Sequence, residues 1–148
     1  MIAVEDRVEV ARDPADVYAF LSVVERYPEW LPGVSGAEQT SPGEVAVGTT
    51  FRIRLSGPSG PIDADGAVIA VEPGRALTVR GQAPQGRVEG ALRLEPIEGG
   101  ATELRIRMQI ELVGMYQFAE GLVGGELRRA MPGVLARVKS RIEAEADR

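Results

Sequence analysis

The chain lacks two side chains on which many catalytic and metal sites depend. It contains no cysteine and no histidine among its 148 residues. Disulfide bonds, zinc sites built from Cys and His, and catalytic triads that use an imidazole are therefore excluded. Aromatic residues are also scarce, at 5% of the chain, so few large side chains are available to fill a core.

Positive charge is in deficit as well. The sequence has 22 acidic and 17 basic side chains, which gives a net charge of −5. Because nucleic acids bind to positively charged surfaces, we expect no nucleic acid partner.

Long apolar runs are missing. The least polar stretch, residues 110–125, is interrupted by Glu111, Gln117 and Glu120, whereas a helix that spans a bilayer needs about 20 apolar residues. The acidic Glu5 near the start does not fit a signal peptide. We therefore expect a cytoplasmic protein without a transmembrane segment.

The length fits a single domain over residues 1–148. Residues 2–10 alternate apolar and polar side chains, which predicts a half-buried strand. The sequence Asp13-Pro14-Ala15-Asp16 then provides a capping side chain and a proline suited to the first turn of a helix. Pro28 and Pro32 leave room for only a second short helix after it.

The middle of the chain, residues 34–112, reads as a series of about six strands with period-two alternation. Turn-forming residues separate them at Ser56–Pro61, Pro73-Gly74, Gly81–Gly86 and Glu98–Gly100. Short turns between neighbouring strands favour an antiparallel meander with one apolar face. Residues 62–72 carry apolar side chains on both faces, so the pattern does not assign their inward face.

A long amphipathic helix closes the chain. Its apolar stripe runs from Ala119 to Ile142 and keeps its phase through Pro132, which predicts one helix with a kink. The predicted fold is α+β, with a curved antiparallel sheet of about seven strands, two short helices after the first strand and the long helix across the sheet.

Four segments, spread along essentially the whole chain, carry a resemblance to one protein family. They are residues 13–21 (DPADVYAFL), residues 27–34 (YPEWLPGV), Gly48-Thr49 and residues 99–104 (GGATEL). The chain resembles the START-like helix-grip superfamily, also called SRPBCC, and within it the small bacterial polyketide cyclase/dehydrase-type members. It departs from the family pattern at Ala101, where glycine usually precedes the threonine.

This resemblance implies an apolar cavity between the sheet and the long helix that holds a lipid, a polyketide or another hydrophobic molecule. The alternation of the strands and the start of the helix then indicate which side chains line it. On the strands these are Phe51, Ile53, Leu55, Val79, Val88, Leu92, Met108 and Ile110, and near the helix Met115, Tyr116, Phe118, Ala119, Leu122 and Val123. Tyr27 and Trp30 are candidates for a wall or gate, although Trp30 is equally suited to anchor the short helices on the sheet.

Groups for acid–base chemistry are few. Asp63 and Asp65 share one strand face, a spacing that suits a cation site but is more typical of a solvated surface. Tyr116 and Arg80 are the best available polar candidates for the implied cavity, ahead of Arg54 and Lys139. We therefore assign no catalytic residue, no metal site and no cofactor.

Three functions remain open. The favoured hypothesis is binding of one hydrophobic small molecule without catalysis. The first alternative is an aromatase/cyclase that assists aldol closure and dehydration of a polyketide, which requires polar groups inside the cavity. The second is an accessory protein that contacts a protein partner or membrane lipid, with no protein partner identified by the sequence.

Overall fold

A seven-stranded antiparallel sheet forms the framework of the protein. The computed structural model describes residues 1–31, 33–57 and 60–146. The strands are β1 (Ile2–Val10), β2 (Val34–Gln39), β3 (Thr50–Gly57), β4 (Gly60–Glu72), β5 (Ala76–Ala83), β6 (Gly86–Ile97) and β7 (Ala101–Leu112). The helices are α1 (Pro14–Leu21), α2 (Tyr27–Trp30) and α3 (Glu120–Ala146), with 3₁₀ segments at Val24–Arg26 and Gly114–Ala119.

The strands are arranged in the order β1-β7-β6-β5-β4-β3-β2, and every neighbouring pair is antiparallel. Strands β2 to β7 thus form the predicted meander. The first strand, β1, lies at the edge of the sheet and pairs with the last strand, β7. The α+β helix-grip architecture, the two short helices after β1 and the long final helix are confirmed.

The helix α1 begins where the sequence predicts. The side chain of Asp13 accepts a hydrogen bond of 3.0 Å from the backbone N–H of Asp16, and Pro14 occupies the first turn. This cap satisfies a donor that the helix itself leaves without a partner. Val17 and Leu21 of α1 are buried. Pro32, which was expected to end α2, lies outside the described residues.

The predicted loop at Gly81–Gly86 is wrong. Strand β5 continues to Ala83 and β6 begins at Gly86, so only Pro84 and Gln85 form the connection. Gly81 pairs with Val88 inside the ladder, because a glycine with extended backbone remains compatible with a strand. The predicted loop at Ser56–Pro61 is also too long, because Ser56 pairs with Pro61 and Gly57 with Gly60 inside the ladder of β3 and β4; Pro58 and Ser59 lie outside the described residues.

An irregularity in β4 explains why both of its faces looked apolar. Ala64 and Val68 are buried on the inner face, and the pairing with β5 shifts register between Val68 and Ala70. One extra residue transfers the following side chains to the opposite face. Val71 therefore packs on the core that Val68 also contacts.

The helix α3 runs parallel to β1 along nearly all of that strand. Gly124 lies against Ile2 near one end, and Lys139 donates a hydrogen bond of 2.9 Å to the backbone oxygen of Glu9 near the other. The predicted apolar stripe is buried at Leu127, Met131, Val134, Leu135, Val138 and Ile142. Among the described residues, no helix is long and apolar enough to cross a membrane.

Charged side chains fasten the last turns of α3 to the short helices. Arg26 donates to both Glu29 and Glu145, and Arg141 donates to Glu29 at 3.0 Å. The hydrogen bond from Arg26 holds the pKa of Glu29 below its ordinary value. The guanidinium of Arg26 also lies 4.1 Å from the ring centre of Phe20, which is within the range of a cation–π contact.

Candidate functional site

Burial changes along the inner face of the sheet. Leu94 and Leu104 are completely buried near α1 and the C-terminal half of α3. Toward the other end of β7 and on β5, the inward residues Val79, Met108 and Ile110 are only half-buried. An apolar part of the inner face is therefore partly accessible to solvent. We call this region the hollow and define it by Val79, Gly81, Val88, Gly90, Met108 and Ile110.

Two glycines form the floor of the hollow. Gly81 pairs with Val88, and Gly90 on the next strand pairs with both Val79 and Met108. A Cβ atom added at Gly90 would lie 3.6 Å from the nearest side-chain atom of Val79, an ordinary van der Waals distance. Val79 is the only neighbour within 4 Å of that position, so Gly90 has room for a methyl group.

The neighbouring part of the inner face is filled. Gly66 pairs with Gly81 and Phe51, and the ring of Phe51 covers it so closely that an added Cβ would lie 2.3 Å from a ring carbon. Tyr27 meets Phe51 at a centroid distance of 5.9 Å and Trp30 at 5.7 Å, both edge-to-face. These three rings form an aromatic wall that joins α2 to β3.

The aromatic wall contains two polar groups. Burial raises the pKa of Tyr27 to about 12, so its hydroxyl stays protonated even in alkaline solution where an ordinary tyrosine ionises. The indole Nε1 of Trp30 is buried and has no hydrogen-bond partner among the described residues. A buried donor without an acceptor is unfavourable. The aromatic wall therefore contains an N–H group whose hydrogen bond is not made within the described residues.

The predicted helix-side residues divide into two groups. Ala119 and Val123 are half-buried, whereas Met115, Phe118 and Leu122 are 75%, 87% and 64% exposed. Tyr116 is also exposed. The first group is partly covered by the protein, and the second lies on the surface where α3 begins.

The remaining strand predictions lie on the expected face at different depths. Ile53 and Leu92 belong to the packed core, and Leu55 is half-buried. Sequence analysis identified the inward phase of these strands but missed Gly81 and Gly90 as the floor. The available signal was their even spacing with Val79 and Val88.

Most polar candidates face away from the hollow. Arg80 pairs with Glu89 at 2.9 Å on the outer face, and Asp63 and Asp65 each accept a hydrogen bond of 3.1 Å from an arginine on β3. No group of His, Cys, Asp or Glu among the described residues could hold a metal ion. The paired aspartates therefore belong to a solvated strand face.

A depression lies beside the hollow, and most of its lining residues belong to the outer face, although Val88 and Ile110 belong to both. It measures about 320 Å³ and is lined by Met1, Arg80, Gln82, Arg87, Val88, Glu89, Gln109, Ile110 and Glu111. Its charged side chains neutralise one another, as in the 3.5 Å pair between Arg87 and Glu111. An open depression bordered by ion pairs does not suit an apolar ligand.

Comparison with known proteins agrees with this architecture. A family model described as polyketide cyclase / dehydrase and lipid transport matches residues 1–143. No curated protein matches the chain in sequence.

Solved structures share the fold at low sequence identity. The Zhui aromatase/cyclase from a Streptomyces species is 17% identical, with a TM-score of 0.81 and coverage of 97% of this chain and 94% of that one. A START superfamily protein from Mycobacterium smegmatis is 18% identical, with a TM-score of 0.72 and coverage of 95% and 99%. A protein from Thermus thermophilus is 16% identical, with a TM-score of 0.77 and coverage of 97% and 98%. From the match over residues 1–143 and this shared helix-grip fold, the chain belongs to the polyketide cyclase/dehydrase and lipid transport family.

Proposed function

We propose that the protein binds one hydrophobic small molecule, lipid-like or polyketide-like, in the hollow. The observation that carries this proposal is the combination of half-buried apolar walls at Val79, Met108 and Ile110 with a floor at Gly90 that has no side chain and accepts a methyl group. Apolar surface left accessible in a concavity is stabilised when an apolar ligand covers it. The cytoplasmic location stays a prediction from the sequence.

Replacing Gly90 with valine tests this proposal by filling the hollow from its floor. Valine suits a strand, and the space above Gly90 accepts a Cβ, so the variant is expected to fold. We expect its affinity for the fluorescent apolar dye N-phenylnaphthylamine to fall about tenfold or more, because the added side chain occupies the ligand volume.

The matched control is Ala91→Val, which adds volume to the outer face of the same strand. Fluorescence titration is expected to give wild-type affinity for this variant. Equal affinity of Gly90→Val and the wild type would contradict the proposal, and so would equal losses in both variants.

We propose cyclase activity as the second candidate. It is supported by the buried Tyr27 hydroxyl, a hydrogen-bond donor in the aromatic wall next to the hollow. Such a donor stabilises the negative charge that develops on a carbonyl oxygen when an enolate attacks it during aldol closure. The site would then contribute a positioned donor inside an apolar enclosure.

Tyr27→Phe tests this candidate because it removes the hydroxyl and retains the ring. If the protein closes a linear poly-β-ketone thioester, we expect the rate to fall by about two orders of magnitude, followed by the absorbance of the aromatic product. Tyr18→Phe, at a half-buried tyrosine on α1, is the control and is expected to retain the rate. No turnover by the wild type, or equal rates in both variants, would exclude this role.

A further inference from the structure

Exposed apolar side chains are concentrated where α3 begins. Met115, Tyr116, Phe118 and Leu122 lie within eight consecutive residues, and all four are exposed. None of the six residues of the Gly114–Ala119 segment, all of which the structure describes, is buried. Large apolar side chains grouped on a surface in this way mark an interaction site.

The same end of the molecule carries no formal charge over two adjoining segments. Residues 81–86 (GQAPQG) and 112–119 (LVGMYQFA) contain no Asp, Glu, Lys or Arg, although these residues make up 26% of the chain. The two segments touch, because the N–H of Val113 donates to the backbone oxygen of Gln85 at 3.0 Å. We call these two segments together with Leu122 the uncharged end.

Charges at the border of the uncharged end are already paired. Glu120 accepts a hydrogen bond of 3.0 Å from the amino group of Met1, and Arg87 lies 3.5 Å from Glu111. Covering this end would therefore not transfer an unpaired charge into a medium of low polarity. Transfer of an unpaired charge is the main cost of burying ionic groups.

The form of the surface favours a lipid interface over a protein groove. Phe118 and Leu122 are 87% and 64% exposed, so they stand out from the surface and do not enclose a cleft for a partner's side chain. A membrane interface accepts apolar side chains without shape complementarity. The net charge of −5 opposes attraction to anionic lipids, so an uncharged headgroup region is the better match.

We propose that the uncharged end docks on the surface of a zwitterionic lipid bilayer. It borders the hollow, so docking brings the mouth of the hollow to a phase in which an apolar molecule is soluble. This step rests on the proposed binding function for its purpose, although the docking itself depends only on the exposed side chains.

Flotation with phosphatidylcholine vesicles tests the proposal on the full chain without added ligand. We expect the vesicle partition coefficient to fall on the order of tenfold for Phe118→Gln and for Leu122→Gln, because each loses most of one apolar side chain from the interface. The matched control is Val47→Gln, at an exposed apolar residue in the connection between β2 and β3 at the opposite end. It is expected to partition like the wild type.

Three results would overturn the proposal: a wild-type protein that does not float, equal losses in Phe118→Gln and Val47→Gln, or a wild-type dimer that Phe118→Gln converts to monomers. The last result would assign the surface to a second copy of the chain. Gly90→Val separates this test from that of ligand binding, since its uncharged end is intact. If Gly90→Val floats with the vesicles but no longer binds the dye, both proposals are supported. If the wild type binds the dye but does not float, only the docking proposal is contradicted.

Discussion

Replacing Gly66 with alanine is expected to lower the free energy of unfolding by about 1–3 kcal/mol. The added Cβ would lie 2.3 Å from one ring carbon of Phe51 and 2.4 Å from another, which is far inside the contact distance of two carbons. Either the ring or β4 must move, and the ring is held against Tyr27 in the aromatic wall. Urea denaturation of the purified protein measures the loss.

A second substitution identifies the ring as the cause. Phe51→Leu removes the atoms that the new methyl group meets, so Gly66→Ala should cost less in the Phe51→Leu background than in the wild type. A double-mutant cycle isolates this coupling from the separate costs of the two changes. Additive effects would show that the strain at Gly66 comes from the backbone.

Truncating Leu104 to alanine is expected to cost about 2–5 kcal/mol. Leu104 is 0% exposed and lies between Val8 and Leu94 in adjacent strands. Its truncation removes apolar contacts and leaves a cavity that the packed strands cannot close completely. Thermal and urea unfolding should both register the loss.

The matched control for this prediction is Leu122→Ala. The same atoms are removed from a side chain that is 64% exposed, so the change in stability should stay within about 0.5 kcal/mol. A loss at Leu122 as large as that at Leu104 would show that the start of α3 is packed in solution.

The order of secondary structure elements could be predicted because each one has a local signal. Asp13 and Pro14 indicate the start of α1, and the alternation in β7 places Leu104 and Ile106 in the core. The ends of β5 and β6 could not be predicted in the same way. Gly81 and Gly86 resemble turn residues in sequence, but both belong to strands because neighbouring strands pair with their backbones.

The sequence predicts which face of the sheet the candidate site residues lie on, but it does not predict how deeply each one is buried. Alternation places Val79, Leu92 and Met108 on one side of the sheet, and the structure agrees. It cannot show that Leu92 is packed whereas Val79 and Met108 are half-buried, because that depends on where α3 crosses the strands. The exposure of Phe118 was hidden for the same reason, since helical spacing does not reveal which face has a partner.

The C-terminal turns of α3 are held more firmly than its N-terminal turns. Its last turns are tied to the short helices through Glu29 and Arg141, whereas its first turns contain Gly121, Gly124 and Gly125. Each glycine weakens a helix by about 1 kcal/mol relative to alanine. Lifting the first turns therefore requires less free energy than lifting the last ones, and a guest too large for the hollow would displace that end while the packed region around Leu104 stays in place.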